Sequence, residues 1–374
     1  MVTIKLVKSC KDKRTFLSFP LKLYKNNPYF VPPLYSDELN IFKKNYYYNQ
    51  TCESIFFLAF KNGQCVGRIQ GILQKASNEK WRQSRIRFTR FDSIDDQEVA
   101  NALFKHIEDW AKVLDIKQIV GPLGYSDFER EGLLIKGFDH LSTFEEQYNY
   151  PYYQKLIENY GFKKEIDWVE RRLFPPKKED SEKFIALADK ILKRTGLHVV
   201  KGLSIKQICE RYGDQFFDLV DETYKNLYET VPFLEAQKKE VIKAFKLILS
   251  PYYVRMIVDK NDTLKAFGLC FPAIGKDLQK SGGHLTIPAI FRVLKTIKNP
   301  EGIDLGLVGV AKDMESSGIT IGIFAEIMKI LCDGKISYCE TNLNLETNED
   351  IQRVWEKRFP NIQHKNRRSF IKNV

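Results

Sequence analysis

The stretch from Ile303 to Leu331 constrains the fold of this chain more than any other. It opens with an apolar run, Ile303 to Ala311, that is too short to span a membrane and rich in residues that fill a buried strand. A polar loop follows from Lys312 to Gly318. The next segment carries isoleucines three to four residues apart, on one face of a helix: Ile319, Ile323, Ile327 and Ile330. The sequence therefore predicts a strand, a Ser/Gly loop and a helix in succession.

A loop of this kind directs unpaired backbone N–H groups, and the positive end of the helix dipole, at whatever lies above it. An anion, usually a phosphate, is the ligand that such a loop favours. The alternative is a plain connection, because strand–loop–helix units with one glycine are common in α/β proteins and most bind nothing. The loop alone leaves both interpretations open.

The chain length and the cysteines limit the class of protein. At 374 residues the chain exceeds the usual size of one core, so we expect two domains. Its seven cysteines are scattered and form no CxxC pair, which favours a reducing cytoplasm and disfavours a zinc ribbon. The N-terminal segment has no signal-peptide core, and no apolar run is long enough to cross a bilayer. We therefore expect a cytoplasmic protein with no membrane partner. The histidines have no ligand-spaced partners, so no metal site is predicted.

The formal net charge of +11 suits an anionic partner such as a nucleotide cofactor, RNA or a lipid surface. General solubility explains the same charge at least as well. The lysines are dispersed, and the sequence has no arginine-rich tract and no helix-turn-helix or RNP-like pattern. A nucleic-acid partner is thus disfavoured but stays open, and the oligomeric state is undefined.

The predicted elements occur in the same order twice. The first half reads as a strand, helical segments, a three-stranded meander with a turn at Lys61–Gly63, a helix over Asp96–Leu114, and a strand, helix and strand. The second half repeats this order, with an insertion from Ala273 to Pro300. Pro175-Pro176 and the charged run after them mark the boundary. We predict a duplicated domain, 1–175 and 176–374, with coincidence as the alternative.

The repeated order resembles the GNAT fold of acyl-CoA N-acyltransferases. Val310 and Gly318 match the family's phosphate-loop pattern, whereas Glu315 and Thr320 depart from it. Several segments are similar to bacterial tandem-GNAT-like proteins over nearly the whole chain, among them NPYFVPPL, GYSDFEREGLLIKGFD and YNYPYYQKLIENYGF. The resemblance implies an α/β (α+β) chain of two tandem GNAT-like domains, each a mixed, mostly antiparallel sheet flanked by helices.

The resemblance also implies a cofactor, acetyl-CoA or another acyl-CoA, bound by the C-terminal domain. Its pyrophosphate would lie on the loop and its pantetheine arm along the preceding strand, on Leu307, Val308, Gly309, Val310, Lys312, Ser316, Ser317, Gly318 and Ile319. Trp355 occupies the position of the family's usual tyrosine acid, and an indole N–H cannot protonate a thiolate. The N-terminal half lacks the loop, so that domain is predicted to be structural or substrate-binding, without cofactor.

Other candidates come from the polar residues near predicted strands. Glu340 is the best general base, although an outward, solvated glutamate is the alternative. The loop from Gly121 to Asp139 and the segment after Thr341 offer groups for substrate binding, or plain connections. The predicted substrate-binding residues are Tyr125, Ser126, Asp127, Glu131 and Asn342.

Three hypotheses follow for the function. The first is an acyl-CoA-dependent N-acyltransferase of a small-molecule or peptide amine. The second is a catalytically degenerate tandem protein that serves as a binding or scaffold protein. The third is a protein like the aminoacyl-tRNA-dependent peptidyltransferases, which also pair two such domains. An affinity for acyl-CoA separates the first from the second, and a salt-sensitive RNA complex would favour the third.

Overall fold

The computed structural model describes all 374 residues, in two compact units. Unit 1 comprises Met1–Val169, Gly275–Ile290 and His364–Val374, and unit 2 comprises Glu170–Ile274 and Phe291–Gln363. The first long segment ends close to the predicted boundary at 175. The segment His364–Val374 belongs to unit 1 because the C-terminal strand pairs with strands of that unit. The division at 175 stays a prediction.

Unit 1 is built on a sheet in which five strands follow one another in chain order. These are β1 (Val2–Leu6), β2 (Cys52–Lys61), β3 (Gln64–Gln74), β4 (Arg85–Ser93) and β5 (Gln118–Gly121). Only β4 and β5 pair in parallel. The helices and a short strand are α1 (Cys10–Leu23), α2 (Tyr35–Asn40), α3 (Lys75–Trp81), α4 (Gln97–Val113), β6 (Leu133–Lys136) and α5 (Tyr152–Asn159), with a 3₁₀ turn at Tyr47–Gln50. The strand β7 (Lys163–Leu173) starts in unit 1 and ends in unit 2.

Local sequence explains two of these elements. The β2–β3 hairpin turns at Asn62 and Gly63, whose φ angles of 52° and 76° are the left-handed values that an Asn-Gly turn tolerates. Helix α4 begins after Asp96, whose side chain accepts the Glu98 N–H at 2.9 Å. The helix buries Val99, Leu103 and Ile107 on its predicted apolar face.

Unit 2 repeats the order of elements. Its sheet runs β12–β11–β10–β9–β8, and only β11 and β12 pair in parallel. The elements from here to the end of the chain are α6 (Lys178–Thr195), β8 (His198–Val199), α7 (Ile205–Tyr224), α8 (Glu235–Ile248), β9 (Val254–Val258), β10 (Leu264–Pro272), α9 (Gly275–Ser281), α10 (Ile287–Lys298), β11 (Gly302–Val310), α11 (Ile319–Leu331), β12 (Tyr338–Thr341), β13 (Asn344–Leu345), α12 (Glu349–Arg358) and β14 (Asn361–Asn373). Two 3₁₀ turns add Pro251–Tyr253 and Lys312–Ser317. The predicted repeat of mixed, mostly antiparallel sheets flanked by helices is confirmed.

Helix α6 is an element that the sequence interpretation missed. The charged run after Pro176, interpreted above as a boundary, forms its first turn, where Glu179 and Asp180 favour the positive end of the helix dipole. The helix buries an apolar stripe that includes Phe184, Ala188 and Leu192. This stripe packs in the core of unit 2 together with α11.

Each unit has its own hydrophobic core. In unit 1, α4 covers the sheet with residues such as Leu103, Phe104 and Ile107. In unit 2, α11 is apolar on nearly every side and lies between the sheet and α6. A Cβ atom at Gly322 would come within 2.9 Å of Leu192, so this glycine permits the close approach of the two helices.

Buried ion pairs fill the interior of unit 1 on the other face of its sheet. Arg90 donates to both carboxylate oxygens of Glu38, at 2.7 to 3.2 Å, and to the side chain of Gln70 at 2.8 Å. Burial opposes the charged form of Glu38, but Arg90 outweighs it and lowers the pKa of Glu38 to about 2. The pair therefore stays charged in the folded protein at neutral pH.

We predict that Glu38→Gln lowers the free energy of unfolding by about 2 to 3 kcal/mol at neutral pH, because it removes the carboxylate that accepts the Arg90 hydrogen bonds and leaves only Glu129, 3.7 Å from Arg90, as a counter-charge. The folded-state pKa lies below the unfolded value. The contribution of Glu38 is therefore complete above about pH 4.5 and is lost as the pH falls towards 2. Urea unfolding of both proteins at pH 7, 4 and 3 measures the difference.

The matched control is Glu53→Gln. Glu53 pairs with Lys75 at 2.6 Å, but both side chains are more than half exposed, so the change should cost less than about 1 kcal/mol. Equal losses for the two variants, or a Glu38 effect that does not shrink in acid, would contradict the assignment.

Candidate functional site

The sheet of unit 2 opens between β11 and β12. Their parallel register begins at Gly302 opposite Tyr338 and ends at Leu305 opposite Thr341. Strand β11 continues to Val310, and on its other edge β10 pairs with it over that whole length. One edge of β11 beyond Leu305 is therefore not bonded to a neighbouring strand, and the predicted pantetheine residues Leu307 to Val310 all lie there.

A tyrosine hydroxyl occupies the middle of this open edge. Tyr224, the last residue of α7, has its hydroxyl 3.1 Å from the Val308 carbonyl oxygen and 3.3 Å from the Val308 nitrogen. The hydroxyl donates to the carbonyl and accepts from the N–H, so it meets both backbone groups of one residue. An extended ligand with amide groups would use the same two backbone groups in the manner of an added strand.

The loop after β11 is a 3₁₀ turn and not an open cradle. The Met314 N–H bonds to the Ala311 carbonyl at 2.9 Å, and the Ser317 hydroxyl accepts the Ile319 N–H at 3.2 Å. Gly318 follows with φ of 85° and begins α11. The amide of Ile319 is thus already bonded. The loop is nevertheless at the surface, because Lys312, Asp313, Glu315 and Ser316 are all exposed.

Two acidic side chains lie side by side on the sheet just before it opens. Asp304 on β11 and Glu340 on β12 are opposite each other in the register, and both are buried. The Oε1 atom of Glu340 accepts from Arg172 Nε at 2.8 Å and from Nη2 at 2.6 Å. Arg172 also lies over the ring of Tyr338, 4.6 Å from its centroid. Glu340 is therefore not an outward, solvated glutamate; to act as a base it must first be released by Arg172.

Tyr338 itself is a weak candidate for proton transfer. Burial, with the neighbouring charges of Asp304 and Glu340, raises the pKa of Tyr338 to about 12. Its phenol is thus protonated throughout the physiological range. The nearby Cys339 is also inert, because burial raises the pKa of its thiol well above the ordinary value.

Comparisons with known proteins give the fold. No protein-family model matches the chain. It is 25% identical over 364 residues to Protein YghO of Escherichia coli K12, which covers 92% of this chain and 89% of YghO. It is also 25% identical over 251 residues to a protein named Bacterial ceramide synthase from Caulobacter vibrioides, covering 65% of this chain and 63% of that protein.

Among solved structures, the chain is similar to a tandem GNAT protein from the clavulanic acid biosynthesis pathway. The TM-score is 0.57 at 11% sequence identity, over 100% of this chain and 98% of that one. The chain has the tandem GNAT fold. A probable N-acyltransferase from Enterococcus faecalis V583 is also similar, with a TM-score of 0.52 at 6% identity, over 100% of this chain and 73% of that one. No helix is both long and apolar enough to cross a membrane.

The GNAT fold implies an acyl-CoA, and the residues of unit 2 fit it in part. The open edge of β11 offers the backbone groups of Val308, which form hydrogen bonds to the Tyr224 hydroxyl. In the loop, the Asp313 carboxylate is paired with Lys265 at 2.7 Å, which reduces its repulsion of a phosphate. Glu315 has no such pair. The strand edge therefore fits an amide-bearing arm better than the loop, in this conformation, fits a diphosphate.

Trp355 and the residue that caps α12 have structural roles. Trp355, at the position of the usual tyrosine, is buried among Phe324 and Phe359, and its N–H donates to Asn344 at 2.7 Å. Asn348 caps α12 by accepting the Ile351 N–H at 3.4 Å. Neither offers a proton to the open edge of β11.

The predicted substrate-binding residues fall into different environments. Tyr125 is buried, stacks on Tyr48 at 4.9 Å, and its hydroxyl is bonded to Gln70 and Ser54 at 2.7 and 2.9 Å. Ser126 is buried too, with its hydroxyl 2.6 Å from that of Tyr48. The remaining three are Glu131, which is buried, and Asp127 and Asn342, which are partly exposed. A substrate-binding role for this set stays a prediction.

Sequence reasoning missed three residues that the structure brings to the opening. Asp304 had a signal, because it is the one acid in an otherwise apolar strand. Arg172 had no signal that linked it to this site, because it meets Glu340 across 168 residues of sequence. Tyr224 had no signal, since its role depends on where α7 ends relative to β11.

We predict that Gly318→Ala destabilises the start of α11. Gly318 has a left-handed φ, and an added Cβ would lie 3.2 Å from Ile191 of α6. Backbone strain alone should lower the free energy of unfolding by about 1 to 2 kcal/mol, and the close contact with Ile191 should lower it further. Thermal and urea unfolding measure the loss.

Gly334→Ala is the control for strain. Its φ is 83°, but a Cβ there would meet nothing within 4 Å. If the two variants lose the same stability, Gly318 is not pressed against α6 and the packing argument is wrong.

Proposed function

We propose that the chain is an acyl-CoA-dependent N-acyltransferase, with unit 2 carrying the acyl-CoA and an amine as acceptor. The observation that carries the proposal is the open edge of β11, where one hydroxyl bonds both backbone groups of Val308. The tandem GNAT fold supports it, because that fold implies acyl-CoA chemistry. Bound acyl-CoA would supply an activated acyl carbonyl for attack by the amine nitrogen. The C–N bond would form, the C–S bond would break, and the coenzyme A thiolate would leave and take up the proton that the nitrogen loses on becoming an amide.

In this proposal the backbone from Leu307 to Val310 holds the pantetheine arm, and Lys312, Ser316, Ser317, Gly318 and Ile319 hold the phosphates. The Tyr224 hydroxyl has to leave Val308, and the Ser317 hydroxyl has to release the Ile319 N–H. Both are side-chain rotations, so the opening of the site needs no change in the sheet.

Asp304 and Glu340 attract the positive charge of the acceptor. Both carboxylates are buried on neighbouring strands, and a carboxylate attracts an ammonium group. Once Arg172 turns away, Oε1 of Glu340 accepts the proton that the ammonium must lose before attack. Arg172 is 26% exposed at its side chain and therefore has room to turn.

The name of one relative suggests the class of the acceptor amine. That relative is named a ceramide synthase, and ceramide is an amide-linked lipid, so a long-chain amino alcohol is the first amine to test, ahead of small polar amines and peptides. We place the reaction in the cytoplasm, because all seven cysteines are free thiols.

A second candidate is a binding or scaffold protein that has kept the fold without the reaction. Three hydrogen bonds favour this candidate. The Tyr224 hydroxyl donates to the Val308 carbonyl, the Ile319 N–H donates to the Ser317 hydroxyl, and the Trp355 N–H donates to Asn344. Each occupies a position that the GNAT motifs would use for cofactor or catalysis.

We predict that Tyr224→Phe increases the affinity for acyl-CoA about five-fold. The phenyl ring keeps the packing, but both backbone groups of Val308 lose a competing partner. The shorter of the two hydrogen bonds, at 3.1 Å, is worth about 1 kcal/mol, and the longer one, at 3.3 Å, adds little. Isothermal titration with acetyl-CoA and palmitoyl-CoA measures the Kd of each protein.

Tyr212→Phe is the matched control. Tyr212 lies on the same helix, and its hydroxyl bonds to Asp262 at 2.6 Å, away from β11. Its Kd should not change. No heat with either thioester at millimolar concentration, for the parent and for Tyr224→Phe, would leave the scaffold as the surviving candidate.

We also predict that Glu340→Gln lowers the rate of amide formation at least about 100-fold and leaves the Kd for acyl-CoA within two-fold. Glutamine keeps an oxygen for Arg172 but cannot take a proton. The assay measures release of the free thiol with sphinganine and with a panel of smaller amines. Full activity in this variant would remove Glu340 from the proposal.

A further inference from the structure

Helix α10 carries an apolar face that is exposed to a large extent. The exposed fractions are 73% for Ile287, 43% for Ile290, 70% for Phe291 and 52% for Leu294. These positions follow the i, i+3, i+4, i+7 pattern, so they form one continuous stripe along the helix. Leu285, 48% exposed, extends the stripe just before the helix begins. Contiguous exposed apolar faces of this kind mark interaction surfaces.

The opposite side of the same helix is anchored. Ala289 and Val293 are both buried. They lie one turn apart, on the side of the helix opposite to the stripe. The exposed stripe is therefore not needed to attach α10, and its outward direction is set by the buried side.

The charges within the segment that carries the stripe, between Asp277 and Glu301, are of one sign. From Leu278 to Pro300 the sequence contains Lys280, Arg292, Lys295 and Lys298 and no aspartate or glutamate. The three lysines are exposed and lie in none of the ion pairs of the chain. Apolar residues with flanking lysines and an outward phenylalanine are the composition of a helix that lies in a membrane interface.

We propose that α10 is an interfacial helix that inserts its apolar stripe into the surface of an anionic lipid bilayer. The apolar side chains would lie at the boundary between headgroups and acyl chains, while Lys295 and Lys298 contact lipid phosphates. The helix lies on the membrane and does not cross it. This inference stands apart from the proposed acyl transfer, since an inactive protein would bind in the same way.

A second copy of this chain fits the stripe less well. A symmetric pair would bring Lys295 and Lys298 of both copies close together, with no acidic residue in the segment to offset them. A lipid surface supplies both the apolar phase and the negative charge. The sequence prediction of no membrane partner rested on spanning segments and a signal peptide, and neither detects a stripe of this kind.

The test is co-sedimentation of the full chain with two kinds of vesicle. One is pure phosphatidylcholine, and the other contains about 30% phosphatidylglycerol, which gives its surface a negative charge. We expect binding to the anionic vesicles, weakened by salt. Phe291→Ser/Leu294→Ser should reduce the partition coefficient at least about ten-fold, because both side chains leave the apolar phase. Lys295→Gln/Lys298→Gln should reduce it about 25-fold on anionic vesicles, five-fold per lysine, and little on neutral ones.

Leu247→Ser is the matched control, because Leu247 is 71% exposed on α8, away from the stripe. It should bind like the parent. Phe291→Trp provides a direct readout: its fluorescence should shift to the blue on anionic vesicles, as an indole does on leaving water.

Three results would overturn the proposal. The first is a parent protein that stays in the supernatant with both vesicles. The second is a Phe291→Ser/Leu294→Ser variant that binds as tightly as the parent. The third is a concentration-dependent dimer, seen by light scattering and abolished by that variant, in a protein that binds no vesicles. That outcome would assign the stripe to a second copy.

Discussion

The geometry of this protein depends on the point where β11 and β12 stop pairing. Backbone N–H and C=O groups in a protein interior need partners, and a strand that loses its neighbour has to find others. Beyond Leu305 the far edge of β11 loses β12. At Val308 the partner is a side chain, the hydroxyl of Tyr224. A side-chain hydroxyl can rotate away and leave these backbone groups open to a ligand, whereas a paired strand cannot. This edge of β11 is therefore a candidate for ligand binding.

The same opening is placed by the packing of α11. That helix is buried on nearly all sides, between the sheet and α6, so it has no freedom to shift. Gly318 and Gly322 allow α6 to come within van der Waals contact of its first turns. The 3₁₀ turn from Lys312 to Ser317 is therefore fixed at both ends while its own side chains face solvent.

The two units share an order of elements but use it differently. In unit 1 the parallel pair β4 and β5 is followed by a segment whose Leu123 N–H bonds back to the Phe88 carbonyl at 2.9 Å. Arg90, with Glu38 and Gln70, fills the space on the sheet with buried charge. In unit 2 the corresponding edge carries one tyrosine hydroxyl. A repeated fold can thus hold a buried ion-pair network in one copy and an accessible edge in the other.

The sequence by itself determined the order of the elements, the tandem GNAT fold and the strand–loop–helix unit at 303–331. The elements and the unit at 303–331 follow from hydrophobic periodicity and turn residues, which are local properties. The GNAT fold was implied by the resemblance of several segments to tandem-GNAT-like proteins. The sequence also contained the stripe of α6, which the charged run before it obscured. Only the tertiary structure decided that Arg172 meets Glu340, that the Tyr224 hydroxyl lies on Val308, and which side of α10 faces outward. Each of these depends on segments far apart in the chain, and periodicity shows that a helix has an apolar face without showing what covers it.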